Sequence, residues 1–128
     1  MPFLLDHISI TVTDLDRSGP FYDAVFGALG VEALRRSDTR IRYGEPGAPG
    51  VTFLSIVETA DAHAGGPRHW AFRATTREQV DAFHAAGLAA GATDDGPPGP
   101  RPGYHEHYYG AFLIDPDGNR VEAVCHEG

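Results

Sequence analysis

Three side chains that could bind a metal, His7, His69 and Glu122, are far apart in the chain but occur in similar surroundings. Each lies in the polar phase of a short segment in which apolar and polar residues alternate, the pattern of a β-strand with one buried face. If these strands share one sheet, two imidazoles and one carboxylate converge on its concave side. This ligand set leaves coordination positions free, as a catalytic divalent metal requires. Any one of the three alone is more readily explained as a solvated side chain, so the prediction depends on all three.

A second group of polar aromatic side chains occupies residues 104–109. Imidazole can take up or release a proton near neutral pH, and a tyrosine hydroxyl can donate to a substrate oxygen. We predict catalytic roles for His105 and Tyr109. Strand alternation allows only one of Tyr108 and Tyr109 to reach a cavity. The alternative is that the histidines are exposed loop residues and that the tyrosines pack with wet hydroxyls.

The first half of the chain, about residues 1–58, contains the pattern of a strand, a helix and further strands. The strand containing His7 is followed by capping residues and then by apolar side chains at helical spacing, and Gly30 ends the helix. Further strands are predicted at residues 41–43 and 51–57.

The second half, about residues 69–128, repeats this order after a linker at about residues 59–68. It contains a strand that begins at His69, then a helix. A segment rich in Gly and Pro at residues 96–103 is predicted to be a loop, either a lid or a stiff connector. The last two strands are predicted at residues 108–114 and 120–125.

The two halves align with each other as a degenerate tandem repeat. Sliding the chain by 62 residues places His7 over His69 and Phe21 over Phe83. Two such halves can hold their helices outside and leave a curved, partly polar sheet facing inward. We therefore predict an α+β fold with two tandem βαβββ modules that form a curved mixed-sheet cup, helices outside, in a single domain of residues 1–128.

Composition limits the class of protein. With 128 residues, 41% of them hydrophobic, the chain can bury one modest core. The net charge of -8, with ten basic residues that are all arginine, would repel a phosphate backbone, so nucleic acid is not an expected partner. The sequence has no apolar run typical of a signal peptide or membrane span, so we expect a cytoplasmic protein without a membrane partner. Cys125 lies in an apolar phase and is expected to be buried and inert.

Four segments carry the resemblance to a known family. They are Asp6-His7-Ile8, then Asp14-Leu15-Asp16-Arg17-Ser18 with Phe21-Tyr22, then His69-Trp70-Ala71-Phe72, and finally Phe112-Leu113-Ile114-Asp115-Pro116-Asp117-Gly118-Asn119-Arg120-Val121-Glu122. Together they resemble the vicinal oxygen chelate superfamily, which includes glyoxalase I, bleomycin-resistance proteins, fosfomycin-resistance enzymes and extradiol dioxygenases. The last segment is the most specific, because an apolar strand precedes its tight turn and a glutamate follows the glycine of that turn.

The resemblance implies paired βαβββ modules that form a cup around a divalent metal, often in a dimer. His7, His69 and Glu122 match the family's ligand positions. The metal, which could be Fe, Mn, Ni, Co or Zn, would bind two adjacent oxygens of a substrate and stabilise the charge that develops on them. A small-molecule substrate and a homodimer are therefore expected.

Departures from the family narrow the expected reaction. Glyoxalase I has a second glutamate as a fourth ligand. Placing Gly50 over Gly118 puts Leu54 there, and only Glu58 could replace it through a change of register. Because leucine cannot bind a metal, isomerisation of the glyoxalase I type is not expected, and the absence of lysine argues against fosfomycin thiol transfer.

The expected function is that of a three-ligand lyase, isomerase or extradiol-type oxygenase in a glyoxalase-like fold. The alternative is a metal-free protein that sequesters a small molecule or antibiotic, as bleomycin-resistance members do. A member that keeps the fold for interaction only ranks last.

Overall fold

Five elements form in each half of the chain. The computed structural model describes residues 5–47, 51–62 and 68–127, and the structural statements below concern these residues. The elements of the first module are β1 (Ile8–Val12), α1 (Leu15–Ala28), β2 (Glu32–Arg36), β3 (Arg40–Glu45) and β4 (Val51–Glu58). Those of the second are β5 (His69–Arg73), α2 (Arg77–Ala89), β6 (Thr93–Pro100), β7 (Tyr109–Ile114) and β8 (Arg120–Cys125).

Local sequence explains where both helices begin and end. The side chains of Asp14 and Thr76 accept hydrogen bonds from backbone N–H groups in the first turns of α1 and α2. Gly30 and Gly91 follow the helices with φ of 78° and 101°, which glycine adopts without strain. Within the described residues, no helix combines the length and the apolar content needed to cross a membrane.

The strands form two four-stranded sheets with the same order, β1-β4-β3-β2 and β5-β8-β7-β6. In each sheet the first pair is parallel and the other two pairs are antiparallel. One face of each sheet packs against the helix of its own module. We call the opposite face the helix-free face, and it carries both polar and apolar side chains. This arrangement confirms the predicted α+β class and the two βαβββ modules.

The sequence pattern misses the outer strands β2 and β6. The segment at residues 96–103 is expected to be a loop, but its first part belongs to β6, which pairs with β7. Prolines are tolerated in β6 because an edge strand leaves one side of its backbone unpaired. Register shifts around Gly96 and Gly99 interrupt the pairing. The alternation that identifies a strand in a sequence is therefore absent.

The two modules meet through their helices. A Cβ atom added to Gly87 of α2 would clash with Leu113 and lie 3.1 Å from Val25 Cγ1 of α1, so only glycine allows this close approach. Phe26 of α1 packs edge-to-face against Phe72 of β5, with 5.0 Å between ring centroids. A single cluster of buried residues includes side chains from both modules.

The turn between β7 and β8 ties the second module to the first. Its Asp117 carboxylate accepts hydrogen bonds from the N–H of Thr13, at 3.0 Å, and from the Arg17 guanidinium, at 2.9 Å. Its Asp115 carboxylate accepts one from the buried Tyr22 hydroxyl at 2.6 Å, and burial together with that carboxylate raises the pKa of Tyr22. The sequence motif that looks like a tight turn is therefore also a clasp between modules.

Candidate functional site

The most buried carboxylate on a helix-free face belongs to Glu122 of β8, whose residue is 1% exposed. Its neighbours Val121 and Ala123 point into the core between sheet and helix, so strand alternation sends Glu122 to the other side. A buried carboxylate is costly unless other groups satisfy its oxygens. Here both oxygens have partners within the second module.

His69 is the partner of one of those oxygens. It begins β5, next to β8 in the sheet, and its Nε2 atom lies 3.3 Å from Glu122 Oε1. The imidazole remains about half exposed, and its ring lies 6.5 Å from that of Phe112. The structure thus brings together two of the three residues predicted to bind a metal.

Tyr108 is the partner of the other oxygen. Its hydroxyl donates a hydrogen bond to Glu122 Oε2. Burial, and then this contact with the carboxylate, raise the pKa of Tyr108 above its ordinary value. The phenol therefore stays protonated at neutral pH and acts as a donor that holds Glu122 in place. Gly110 leaves room for this contact, because a Cβ atom there would lie 3.1 Å from Tyr108 Cε1 and 3.3 Å from Glu122 Oε2.

Tyr109, the tyrosine predicted to reach the cavity, lies on the opposite face of β7. Its hydroxyl donates to Asp81 Oδ1 of α2 at 2.7 Å, and the Arg77 guanidinium sits 4.8 Å from its ring centroid. The hydrogen bond to Asp81 raises the pKa of Tyr109. The expectation is therefore corrected: the strand alternation is right, but Tyr108 and not Tyr109 is the tyrosine on the helix-free face.

His105 forms a pair with His126. The two rings stack, with 4.8 Å between centroids, and His105 Nε2 lies 2.7 Å from His126 Nδ1. Because His105 Nδ1 accepts from the N–H of His107, the neutral His105 ring carries its proton on Nε2 and donates it to His126. His105 is connected to Glu122 through Tyr108: the ring centroids of His105 and Tyr108 are 5.2 Å apart, and Tyr108 in turn contacts Glu122. Its catalytic role stays a prediction.

His7 lies just before β1, in the other sheet, and its side chain is exposed. Its Nδ1 atom is 2.6 Å from Asp6 Oδ1, which leaves Nε2 free. Metal-binding histidines are commonly oriented in this way by a carboxylate on the other ring nitrogen. Within the described part of a single chain, no group of three or more His, Cys, Asp or Glu side chains is arranged to hold a metal.

The register of the sheets identifies the position in the first module that corresponds to Glu122. Glu122 is paired with Ala71 of β5, and the equivalent pair in the first module is Ser55 of β4 with Ser9 of β1. Alignment on the turn glycines places Leu54 there instead, and that residue is buried in the core. Ser55 supplies no carboxylate. Glu58 shares the strand phase of Leu54 and so lies on the opposite face from Ser55, where its Oε1 accepts from the N–H of Leu15 at 2.9 Å.

Comparison with known proteins agrees with this architecture. A family model described as Glyoxalase/Bleomycin resistance protein/Dioxygenase superfamily matches residues 4–123. The crystal structure of a glyoxalase/bleomycin resistance protein from Albidiferax ferrireducens T118 is 37% identical, with a TM-score of 0.84, and the match covers 96% of this chain and 99% of that chain. A putative glyoxalase from Bacillus halodurans is 27% identical, with a TM-score of 0.70 and 95% of each chain covered.

A more distant similarity concerns the fold alone. The fosfomycin resistance protein FosX from Listeria monocytogenes is 21% identical, with a TM-score of 0.68, and the match covers 98% of this chain and 94% of that chain. Comparison with proteins of curated function gives no match.

Proposed function

Because this chain belongs to the glyoxalase/bleomycin resistance protein/dioxygenase superfamily, we propose that it is a divalent-metal-dependent enzyme acting on a small molecule with two adjacent oxygens. The reaction class is that of a lyase, an isomerase or an extradiol-type oxygenase. The ligands are His7, His69 and Glu122.

The observation that carries this proposal is the arrangement around Glu122. Its carboxylate is 1% exposed, and its oxygens face an imidazole on one side and a phenol donor on the other. Imidazole nitrogen and carboxylate oxygen are donors that suit Fe, Mn, Ni, Co and Zn. Tyr108 donates to Oε2 of Glu122. The other oxygen, Oε1, faces His69, so a metal ion could be bound between Oε1 and His69. The residues present therefore fit a divalent metal.

A bound metal would supply Lewis-acid stabilisation of charge on two adjacent substrate oxygens. The chain's own residues would do the rest. Glu122 would be held in one orientation by Tyr108, and Phe112 lies beside His69 with 6.5 Å between the ring centroids. His105 and His126 offer a hydrogen-bonded imidazole pair beside Tyr108 that can take up or release a proton.

We assign the third ligand, His7, to a second copy of the chain. His7 leads into β1 and His69 begins β5, and both strands are edges of their sheets. Exposed apolar side chains lie on or beside the strands of these two edges: Leu5, Val51, Phe53 and Trp70. Edge strands and exposed apolar residues favour association. In a two-fold dimer, the His7 edge of one protomer would meet the His69 edge of its partner twice.

The test of metal dependence is elemental analysis of protein purified without added metal, before and after loading and desalting. We expect near-stoichiometric uptake by the wild type and none by Glu122→Gln, which keeps the shape of the side chain and removes its charge. Glu127→Gln is the matched control, because this exposed glutamate follows the same strand. Equal uptake by Glu122→Gln and the wild type would overturn the proposal.

The shared site is tested by mixing two variants. His7→Ala and Glu122→Gln should each fail to bind metal, but a heterodimer of the two contains one site in which all ligands are intact. Unfolding and refolding them together in equal amounts should therefore restore about a quarter of the wild-type uptake. Normal metal uptake by His7→Ala alone would place His7 outside the site, and no restoration in the refolded mixture would contradict a site shared between two chains.

A metal-free binding protein is the second candidate. The observation that favours it is that the described residues of one chain contain no group of three ligands. In that case the cup would sequester a small molecule, and Glu122 would act as a recognition group. Wild-type protein that binds no divalent metal after loading would support this candidate.

A further inference from the structure

The helix-free face of the first sheet carries three arginines without a partner. Arg42 of β3 lies between the buried Ile41 and Tyr43, so its side chain points away from α1. Arg40 is two residues earlier on the same face, and Arg35 of β2 is paired directly opposite Arg42. Within the described residues, none of these three side chains forms an ion pair or a hydrogen bond. We call Arg35, Arg40 and Arg42 the arginine cluster.

This arrangement is electrostatically unfavourable in the protein alone. Like charges directly opposite each other on antiparallel strands destabilise a sheet. The charge of the neighbouring Arg36 is compensated by an ion pair. Its side chain points to the other face, and its Nη2 atom lies 2.9 Å from Asp23 Oδ1. The chain has 18 acidic residues and ten basic residues, so a lack of acidic residues does not explain why these arginines are unpaired.

The surroundings of the cluster are those of a binding surface. Ser55 of β4 is paired with Arg42, and Ser9 of β1 is paired with Ser55. Two serines therefore lie beside the cluster, in the direction of the edge strand β1. Arg40 and Arg42 are half-buried, which reduces the screening of their charge by water. Guanidinium groups offer two parallel N–H donors and bind carboxylate or phosphate oxygens in a bidentate manner.

We propose that the arginine cluster binds an oxyanion, a carboxylate or phosphate group carried by a small molecule. The inference rests on the proposed function in one respect, because it identifies that small molecule as the substrate. In the proposed dimer the His7 edge of one sheet adjoins the His69 edge of the other protomer's sheet, so the substrate's adjacent oxygens would face Glu122 and His69 of one protomer and its anionic group would face the arginine cluster of the second copy. Nucleic acid is a poor occupant, because the net charge of -8 would repel a phosphate backbone.

The test is calorimetric titration of the dimeric or monomeric protein as purified, in the presence of a chelator, with inorganic phosphate and separately with acetate. We expect the wild type to bind at least one of these ions, and the preferred ion distinguishes a phosphate from a carboxylate site. Arg42→Gln and Arg35→Gln should each weaken binding about tenfold. Arg36→Gln is the matched control, since it removes the same charge from the same strand on the other face, and it should change the affinity less than about twofold.

Thermal unfolding separates binding from folding. Without the ion, Arg42→Gln should unfold at the same temperature as the wild type or above it, because the substitution relieves repulsion. Addition of phosphate should raise the unfolding temperature of the wild type more than that of Arg42→Gln.

Three results would overturn the inference. They are no binding of either ion by the wild type, equal losses in Arg36→Gln and Arg42→Gln, and binding of anionic vesicles or RNA that requires Arg42 when neither small ion binds. Failure of the proposed function is distinguishable from these. If Glu122→Gln takes up metal as the wild type does but Arg42→Gln still loses the ion, the metal centre is wrong and the arginine cluster stands.

Discussion

The two modules carry different chemistry on the same row of the same sheet. The row that crosses the helix-free face reads, in the first module, Ser9, Ser55, Arg42 and Arg35 and, in the second, Ala71, Glu122, Phe112 and Gly96. The helix positions differ much less, since Phe21 and Phe83 are equivalent and both are fully buried. The repeat therefore preserves what the core requires and lets the helix-free rows diverge. One row carries a buried carboxylate, and the other carries two guanidinium cations.

The largest expected effect tests whether the shared positions form one core. Phe21→Ala and Phe83→Ala each remove a ring that is 0% exposed, so each should lower the free energy of unfolding by about 3–5 kcal/mol. Because the buried cluster includes both modules, each variant should unfold in one transition. Urea unfolding should be followed by circular dichroism and by the fluorescence of Trp70, the single tryptophan, which lies in the second module.

Phe21→Ala gives the sharper result, because its cavity and the fluorescent probe are in different modules. The two signals should shift together to lower urea. A Trp70 transition that stays at the wild-type midpoint while the circular dichroism midpoint falls would mean that the modules unfold separately.

The second expected effect concerns the clasp between the modules. Asp117 receives hydrogen bonds from Thr13, Arg17 and Ser18, and its side chain is almost buried. Asp117→Asn should lower the free energy of unfolding by about 2 kcal/mol at pH 7, because a charged acceptor is lost. Burial alone would raise the pKa of Asp117, but the hydrogen bonds of Thr13 and the charge of Arg17 hold the pKa below its ordinary value of 3.8.

The sign of that pKa shift predicts the pH dependence. A carboxyl group whose pKa is lower in the folded state stabilises the protein above its ordinary pKa and loses that contribution as the pH falls through the folded-state pKa. The difference in stability between the wild type and Asp117→Asn should therefore be constant from pH 7 to about pH 5 and shrink below 3.8. A difference that is unchanged at pH 3 would show that the charge of Asp117 is not what matters.

The third effect compares the two faces of β7. Tyr108→Phe removes the donor to Glu122, the proposed metal ligand, and loss of such a hydrogen bond to a ligand typically weakens metal binding by about tenfold or more. Tyr109→Phe is the matched control, because the adjacent hydroxyl binds Asp81 on the helix side. Competition with a chelator would measure both affinities. Equal metal affinities in the two variants would show that the Tyr108 hydroxyl does not contribute to metal binding.

The strand phases of the candidate site residues could be predicted from the sequence, but their exact register could not. Alternation placed His69 and Glu122 on one face, and their side chains meet. It also put Tyr108 and Tyr109 on opposite faces, but the choice of Tyr109 was wrong, because both phases of this strand contain apolar residues and do not show which face the helix covers. Aligning the turn glycines pointed to Leu54 rather than Ser55, since the first module has one more residue between the glycine and the row.

The arginine cluster and the edge strands also could not be predicted from the sequence, because both depend on how the strands pair. Arg35 and Arg42 are seven residues apart, and only the β2–β3 register places them opposite each other. The prolines of β6 are typical of a loop in sequence, but an edge position accepts them. Local pattern identifies the face of a strand, whereas the neighbour across the sheet depends on turn length and bulges.

The smallest effect is expected from a substitution that makes the row of the first module resemble the row of the second. Ser55→Glu places a carboxylate where the second module has Glu122, but here its neighbour is Arg42 rather than Phe112. Ser55 is 6% exposed, so a longer side chain costs stability there. The opposite charge beside Arg42 should nevertheless leave Ser55→Glu more stable than an uncharged side chain of the same size by up to about 1 kcal/mol at low salt. Ser55→Gln, of nearly the same size but uncharged, is the control, and added salt should reduce the difference between the two variants. If Ser55→Glu is no more stable than Ser55→Gln at low salt, Arg35 and Arg42 do not repel each other, and the two rows differ in residue type without differing in their electrostatics.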